Sequence, residues 1–424
     1  MRFFHPFEPP AAPEFPARTF DIRDYGAIPG GNVPATDAIR AAISACSDAG
    51  GGRVIIPAGQ WLTGPIHLRS GVNLHAEAGA YVHFSTDFAD YLPVVYGILA
   101  GNRVYSVSHF LYAYRCTNIA VTGTGTFDGH GEVWWYMKKH QPGMEDLMKK
   151  GKALRPLSER VYDKPEDGVR PRMLQFVECE NVLIEGITMK NSPSWTVHPA
   201  WCKNIIVRGL TIRNPSDAPN TDGVNLESCR RGLVEDCDVS TGDDMVCLKA
   251  GRDEDAWAVG IPCEDIEVRN CRALTGHGGI TIGSETSASI RNAWIHDCTF
   301  GSMFSAVRIK TMKGRGGVIE NLDFENIRIE NATRGAISIT MRYTGEPLDD
   351  QSKPIENMPE VRNISVANLR CGKAKRGLEL VGELGYPLKN IVLSDIDIAA
   401  GELTHIANVE NLQTERLNLR EMGT

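Results

Sequence analysis

Residues 202–214 read CKNIIVRGLTIRN, and this stretch decides the fold. Apolar residues alternate with polar ones in two short runs, with Ile205 and Val207 in the first, Leu210 and Ile212 in the second, and a glycine between the runs. A period of two is typical of a half-buried strand and not of a helix. The stretch therefore predicts two short strands joined by a turn.

The same phrase recurs along the chain with an asparagine or a similar residue in its third position. These positions are 21 to 42 residues apart: 181, 204, 231, 265, 292, 321, 363, 390 and 411. A unit of two short strands cannot bury its inner face alone, so the copies must stack. We predict an all-β fold, a right-handed single-stranded parallel β-helix with turns about 4.8 Å apart. Asparagine tolerates a left-handed backbone, and its amide can pair with the next turn.

Five cysteines share one position of the phrase, and we expect them to form a column of small buried side chains rather than a metal site. They are Cys116, Cys179, Cys202, Cys229 and Cys263. The chain has 11 cysteines without a CxxC pair, which we interpret as reduced thiols. Residues 1–20 do not resemble a secretory signal, so we expect a cytoplasmic protein. A secreted protein whose signal has been removed is the alternative.

Length and composition exclude several classes of protein. The 424 residues are 42% hydrophobic and 23% charged, which is ordinary for a globular protein and excludes a disordered chain. The net charge of −8 is unfavourable for general nucleic-acid binding. No apolar run is long enough to span a bilayer. We therefore expect neither a nucleic acid nor a membrane as partner, and the oligomeric state stays open.

The organisation of the chain follows from where the repeat starts and where it is interrupted. Residues 36–47 have apolar residues at helical spacing behind Thr36, which predicts a short helix with Thr36 as its N-cap, covering the open end of the solenoid. Residues 1–17 form an N-terminal extension, and residues 18–424 form a single domain. A Lys- and Arg-rich insertion at 130–172 interrupts the repeat, either as a wall of a binding site or as a surface helix with solvated lysines.

Four short clusters depart from the repeat: NTDG (220–223), GDD (242–244), GHGG (276–279) and RIK (308–310). Asp222 and Asp243 are 21 residues apart, which is about one turn of the solenoid, and the two later clusters follow at similar intervals. Each cluster alone is unspecific, but together they predict that one surface carries three carboxylates and three basic side chains. The members are Asp222, Asp243, Asp244, His277, Arg308 and Lys310.

Crowded carboxylates point to acid–base chemistry. Their repulsion raises the proton affinity of one of them, which can then act as a general acid while the others hold and deprotonate a water. Glycoside hydrolysis needs such a pair of functions. Arg308 and Lys310 suit a substrate that itself carries a carboxylate, such as a uronic acid.

The order NTDG, GDD, GHGG, RIK on a β-helix resembles glycoside hydrolase family 28, the polygalacturonase family. The resemblance runs from about residue 18 to about residue 345 and implies a pectin-lyase-like solenoid that cleaves pectic polymers with inversion and without metal or cofactor. It implies Asp243 as general acid, Asp222 and Asp244 as the residues that activate water, and His277 as the partner of the acid. It implies substrate contacts for Arg308, Lys310, Asn220 and, near the leaving group, Tyr343.

Further phrases, such as NSPSWTVHP (191–199) and IGSETSASIRN (282–292), resemble the bacterial exo-acting branch of that family. This branch implies release of galacturonic acid from chain ends, with the insertion at 130–172 closing one end of the cleft and with Trp195 and His198 lining it. Four alternatives stay open: an endo-polygalacturonase, a rhamnogalacturonan or xylogalacturonan hydrolase, a calcium-dependent pectate lyase, and a non-catalytic carbohydrate-binding β-helix.

Overall fold

The computed structural model describes residues 2–343 and 356–422, and its dominant feature is one long parallel β-sheet that coils into a solenoid. The fold is the predicted right-handed parallel β-helix. Each full turn contributes three strands, however, and not the two that the repeat predicts. The turn that starts at residue 180, for example, consists of Glu180–Glu185, Thr188–Lys190 and Val197–Ala200.

The three strands of a turn stack on their counterparts in the next turn, which gives three parallel faces. The first sheet contains Thr19–Asp21, Gly52–Ile56, Val72–Ala76, Thr117–Gly123, Glu180–Glu185, Lys203–Arg208, Arg230–Glu235 and Cys263–Arg269. The second contains Gly59–Thr63, Ala80–Phe84, Thr126–Asp128, Thr188–Lys190, Thr211–Arg213 and Asp238–Ser240. The third contains Ile66–His67, Leu111–Tyr114, Leu174–Val177, Val197–Ala200, Val224–Glu227 and Val246–Lys249. Later strands run through the corners without a break: Arg272–Gly283, Ile290–Lys310, Val318–Thr340, Glu360–Val381, Leu388–Ala407 and Val409–Glu421.

The strand that the repeat does not predict is the one in the third sheet. Its strands Val197–Ala200, Val224–Glu227 and Val246–Lys249 are buried at every position, because their outer face is covered as well as their inner one. A strand that is buried on both faces does not need to alternate. The sequence therefore carries no period-two signal at the sheet that becomes important for the site.

The predicted asparagine turn is confirmed. All nine third positions of the phrase have φ between 54° and 58°, in the left-handed region. The amides also pair along the axis, with Asn204 Nδ2 donating to Asn181 Oδ1 at 2.9 Å and Asn390 Nδ2 donating to Asn363 Oδ1 at 2.8 Å. The five cysteines of the phrase are buried and unpaired, as expected.

The remaining elements are short. The helices are Thr36–Asp48, Glu132–Trp135, Pro142–Lys152 and Asp253–Val259, and the 3-10 turns are Ile22–Tyr25, Phe88–Tyr91, Tyr136–Lys139, Leu157–Glu159 and Pro165–Asp167. The first helix packs on the first turn of the solenoid, as predicted. It begins at Thr36, so the predicted N-cap was wrong by one residue, and Ala35 is the cap. Thr36 Oγ1 instead accepts a hydrogen bond from the N–H of Gly64 at 2.7 Å. This bond ties the helix to the neighbouring strands. No helix in the described ranges is long and apolar enough to cross a bilayer.

The insertion at 130–172 forms part of a wall beside the solenoid. Its strand Val161–Tyr162 pairs with Asn102–Ser106, which forms a hairpin with Val95–Leu99. A small separate core holds hairpin and insertion together: Leu99, Val104, Leu147, Tyr162 and Val169. Buried Asp255 joins this wall to the solenoid through Arg103 at 2.7 Å and Arg160 at 2.9 Å.

The N-terminal extension lies along the outside of the solenoid, across the strands. The N–H groups of Phe3 and Phe4 donate to Asp323, and the N–H of His5 donates to Asn292. Further along, Phe15 packs on a small outward-facing apolar patch: Ala120, Leu183 and Ile206. The segment therefore bridges several turns of the solenoid.

Candidate active site

Three of the four sequence clusters lie at the corner between the second and third sheets, and the fourth, RIK, lies on the third sheet, from which Arg308 and Lys310 reach Asp244. Asp222 precedes the strand Val224–Glu227, and Asp244 precedes the strand Val246–Lys249, which pairs with it in register. Backbone hydrogen bonds connect these corners directly, from Gly223 N to Asp244 O at 2.9 Å and from Met245 N to Gly278 O at 2.8 Å. The predicted convergence of the carboxylates on neighbouring turns is therefore present in the structure.

Asp222 is a buried carboxyl with little support for a negative charge. Its Oδ1 has no hydrogen-bond partner in the described residues, and its Oδ2 lies 3.5 Å from the Sγ of Cys247. Burial, reinforced by the charge of Asp243, raises the pKa of Asp222 to about 7. The raised pKa thus falls on a residue that the resemblance casts as a water-binding group.

Asp244 is equally buried but well supplied with donors. Lys310 Nζ lies 2.8 Å from its Oδ2, Arg308 Nη1 lies 3.4 Å from its Oδ1, and the N–H of Gly278 donates to Oδ1 at 2.7 Å. Burial by itself would raise the pKa of Asp244, but Lys310 and Arg308 outweigh it and hold the pKa below its usual value. Two adjacent carboxyls are thus driven to opposite protonation states.

Asp243 lies nearer the surface than the other two carboxyls, with a side chain that is 16% exposed. Its Oδ1 is 2.9 Å from Nδ1 of His277, and its Oδ2 accepts a bond from Asn220 Nδ2 at 3.3 Å. The His277 ring stacks on Phe304 with ring centres 4.0 Å apart and an angle of 11°. The ring of His277 is thereby fixed beside the carboxyl of Asp243.

Two of the remaining predicted contacts lie at the site. Asn220 binds Asp243 and also accepts a hydrogen bond from Arg170 at 2.8 Å. Tyr343 is 42% exposed, and the Lys310 ammonium lies 5.3 Å from its ring centre. Asn220 therefore holds Asp243 in place, and Tyr343 lies beside Lys310.

Trp195 and His198 are placed differently from the prediction. His198 is fully buried under the wall, with Nε2 2.7 Å from Glu227 and Nδ1 2.8 Å from Gln175, so it does not line the cleft. Burial lowers the pKa of His198 well below its usual value. Trp195 is only 7% exposed and packs against the cations of Arg172 and Lys249, so it supports the floor and offers little surface to a ligand.

Sequence reasoning missed three polar residues of the third sheet. Asn225, Cys247 and Thr281 stand in one line across paired strands, directly beneath the carboxyls. The side-chain polar atoms of Asn225 and Thr281 are buried without a partner in the described residues. Buried polar atoms normally have partners, so these orphaned atoms mark an unusually polar stretch of the third sheet beneath the carboxyls. No sequence signal marks them, because the strands do not alternate.

One compact group among the described residues has the donor types of a metal site: Asp222, Asp244 and Cys247, whose ligand atoms lie within 4.8 Å of one another. The ammonium of Lys310 already neutralises Asp244 at 2.8 Å, and Arg308 adds a second positive charge. A metal cation would therefore be repelled where it had to bind. The arrangement suits acid–base chemistry on water better than metal binding.

A β-helix whose neighbouring turns bring three carboxyls and a cationic pair together has the groups that a glycoside hydrolase requires. Comparison with known proteins agrees. The sequence matches glycosyl hydrolases family 28 over residues 157–417, and the chain belongs to this family.

Among solved structures, an exopolygalacturonase from Thermotoga maritima is 34% identical, with a TM-score of 0.91 over 97% of this chain and 94% of that one. A probable polygalacturonase from Vitis vinifera is 28% identical over 90% of this chain and 74% of its own length. An endo-polygalacturonase from Pectobacterium carotovorum subsp. carotovorum is 25% identical over 88% of this chain and 87% of its own length.

Proposed function

We propose that this glycoside hydrolase cleaves the α-1,4-galacturonosidic bonds of polygalacturonan or oligogalacturonides with inversion, acting from the chain end and releasing galacturonic acid. The observation that carries the proposal is the geometry of three crowded carboxyls beside a cationic pair, with Lys310 Nζ 2.8 Å and Arg308 Nη1 3.4 Å from the oxygens of Asp244. Arg308 uses one of its five N–H donors on Asp244, so others are free for a substrate carboxylate. Arg308 is partly exposed, with a side chain that is 13% accessible, so a carboxylate of the substrate could reach it beside the acid.

In the proposed reaction, Asp243 transfers a proton to the glycosidic oxygen while water attacks the anomeric carbon from the opposite side. In the reactive form the single proton of the trio lies on Asp243, and Asp222 and Asp244 are both ionised. The attacking water gives a proton to this ionised pair while Asp243 loses its own to the leaving group, so the number of protons on the trio is unchanged. Interacting carboxyls titrate as a set, so the proton that rests on Asp222 belongs to the trio. Asp243 is the member exposed toward the cleft, and His277 positions it.

Three observations support the exo mode. The wall that contains the insertion stands on the N-terminal side of the carboxyls, where Trp135 Nε1 donates to Ser192 O at 2.9 Å. Desolvation lowers the pKa of Lys138, Arg170 adds to this, and Asp243 opposes it, so the Lys138 ammonium lies within electrostatic range of the acid. The similar Thermotoga protein is described as an exopolygalacturonase.

Product analysis over time tests this function. Incubation with trigalacturonate and with polymer is expected to release galacturonic acid steadily, with inverted anomeric configuration in the first product. A ladder of intermediate oligomers would instead favour endo action, which the similar Pectobacterium protein makes the second candidate. Activity on rhamnogalacturonan or xylogalacturonan alone would mean that the enzyme is a hydrolase of another pectic polymer and not of polygalacturonan.

Two further outcomes would remove the hydrolase assignment. An unsaturated product with its ultraviolet absorbance would indicate a pectate lyase. Binding of oligogalacturonide without release of reducing ends would indicate a carbohydrate-binding solenoid. For the location we propose the cytoplasm, which the eleven buried, unpaired thiols support because such thiols are typical of a reducing compartment.

A further inference from the structure

A cleft of about 460 Å³ continues from the site in the C-terminal direction. The strands Ile290–Lys310, Val318–Thr340 and Glu360–Val381 form its floor. Its lining is rich in cations and hydroxyls and includes Arg308, Ser338, Thr340, Arg334, Lys375 and Arg376. It begins at the cationic pair and leads away from the walled end.

The strand register places these groups in rows along the solenoid axis. Arg308 pairs with Ser338, which pairs with Glu379, and Lys310 pairs with Thr340. Adjacent strands are about 4.8 Å apart, so polar groups recur at a short regular interval. A linear polymer lying along the axis would meet one row after another.

The outer cations fall into two kinds. Arg376 is already neutralised by Glu379 at 2.8 Å and Glu402 at 2.7 Å. Arg334 and Lys375 are exposed, and no acidic side chain of residues 2–343 or 356–422 lies within ion-pair distance of either. In a protein of net charge −8, two uncompensated cations beside one cleft are available for an anion from outside.

Arg334 also has a fixed position. Its guanidinium lies 4.3 Å from the ring centre of Phe304, the same ring that stacks on His277. A guanidinium held on an aromatic face loses less conformational freedom when it binds an anion.

We propose that Arg334 and Lys375, with the hydroxyl of Thr340, form a secondary site, which we term the outer cationic site. It binds uronate residues of the substrate beyond those at the scissile bond. Glu379 also lines the cleft, but its carboxylate already binds Arg376 and accepts a hydrogen bond from the hydroxyl of Ser338. The proposal rests on the proposed function and deepens it, because it makes a run of uronates, and not a single galacturonide, the preferred substrate. The wall closes the opposite end, so only this side has room for the rest of the chain.

The test compares substrates of different length in matched variants. The double variant R334Q/K375Q removes the two outer charges. The control R328Q/R370Q removes two exposed arginines from the same two strands, on the second sheet away from the cleft. For each protein, kcat/KM is measured on digalacturonate and on pentagalacturonate, at low and at high salt.

Wild-type enzyme is expected to prefer the pentamer. R334Q/K375Q is expected to lose about tenfold in kcat/KM on the pentamer and to retain its rate on the dimer, since exposed ion pairs contribute modestly and additively. Its salt dependence on the pentamer should weaken as well. The control should match wild type on both substrates.

Four results would overturn the outer cationic site: equal losses on dimer and pentamer in both R334Q/K375Q and the single variant K375Q, no loss on either substrate, an equal loss in the control, or hydrolysis by wild type with no length preference. Equal losses in the double variant together with a pentamer-specific loss in K375Q would show that Arg334 acts through Phe304 and His277, and that Lys375 alone binds the distant uronate. Absence of hydrolysis of every galacturonide would refute the proposed function and the outer site together.

Discussion

Replacement of Asp222 by asparagine is expected to stabilise the protein at alkaline pH while it abolishes most activity. Asp222 is buried, and its Oδ1 has no partner in the described residues. Its pKa rises from 3.8 to about 7 on folding. A carboxyl with a raised folded pKa favours folding only while it is protonated, so it costs stability once the pH exceeds its unfolded pKa.

The size of the effect follows from the shift. Each pKa unit corresponds to about 1.4 kcal/mol, so the cost grows from roughly 2 kcal/mol at pH 5 to roughly 4 kcal/mol above pH 7. Asparagine is never ionised and escapes this cost. The gain in free energy of unfolding of D222N relative to wild type should therefore increase by roughly 2 to 3 kcal/mol between pH 5 and pH 8. The fit of the new amide adds an offset that does not depend on pH.

Urea titrations of wild type and D222N at pH 5 and pH 8 measure this difference. D217N is a matched control, because Asp217 is an exposed carboxyl of the same loop, and it should show no pH-dependent gain. A stability difference between D222N and wild type that stays constant from pH 5 to pH 8 would refute the raised pKa of Asp222 in the folded protein. A stability difference that shifts in favour of wild type as the pH rises would also refute it.

Three further predictions concern other parts of the molecule. D243N should lower kcat by a factor of about 10² to 10⁴ with an unchanged Tm, because Asp243 is the partly exposed acid; a large loss of Tm with normal activity in the folded fraction would contradict this. K310M removes the cation 2.8 Å from buried Asp244, so it should raise the pKa of Asp244 and cost about 3 kcal/mol of stability above pH 4. This loss should disappear in acid, where Asp244 is protonated, and urea titrations at several pH values measure it. An equal loss of turnover on a neutral analogue would argue against a role of Lys310 in uronate binding. Deletion of residues 2–17 should lower Tm by a few degrees without changing kcat at low temperature, because this segment bridges several turns far from the carboxyls; an unchanged Tm in calorimetry would show that its contacts contribute nothing.

Much of the architecture is predictable from local signals. The alternation in residues 202–214 predicts the strands of the first two sheets, and the recurring asparagine predicts the left-handed turn that the structure has at all nine positions. Both signals are local in origin: alternation reflects one buried face, and asparagine reflects a backbone angle that other residues avoid. The third strand of each turn has no such signal, since both its faces are buried.

The site residues also fall into those that local signals predict and those that they do not. The spacing of about one turn per cluster was sufficient to predict that Asp222, Asp243 and Asp244 meet at one corner, because a solenoid converts sequence distance into axial distance. Spacing could not distinguish a residue that faces the cleft from one that lies beneath the wall, and His198 was for that reason misplaced. It also could not find Cys247 between two carboxyls, since the sequence gives it no feature that separates it from the other buried cysteines.

The sequence by itself determined the type of coil, the turn residues and the set of charged groups, because each of these depends on residue type and period. Only the tertiary structure decided how strongly each carboxyl favours its charged form. That depends on the distance of each oxygen from Lys310, Arg308 and water, and the wall and the neighbouring turns set these distances over many residues of separation. The free energy of a buried charge is a property of its surroundings, so it cannot be obtained from the chain alone.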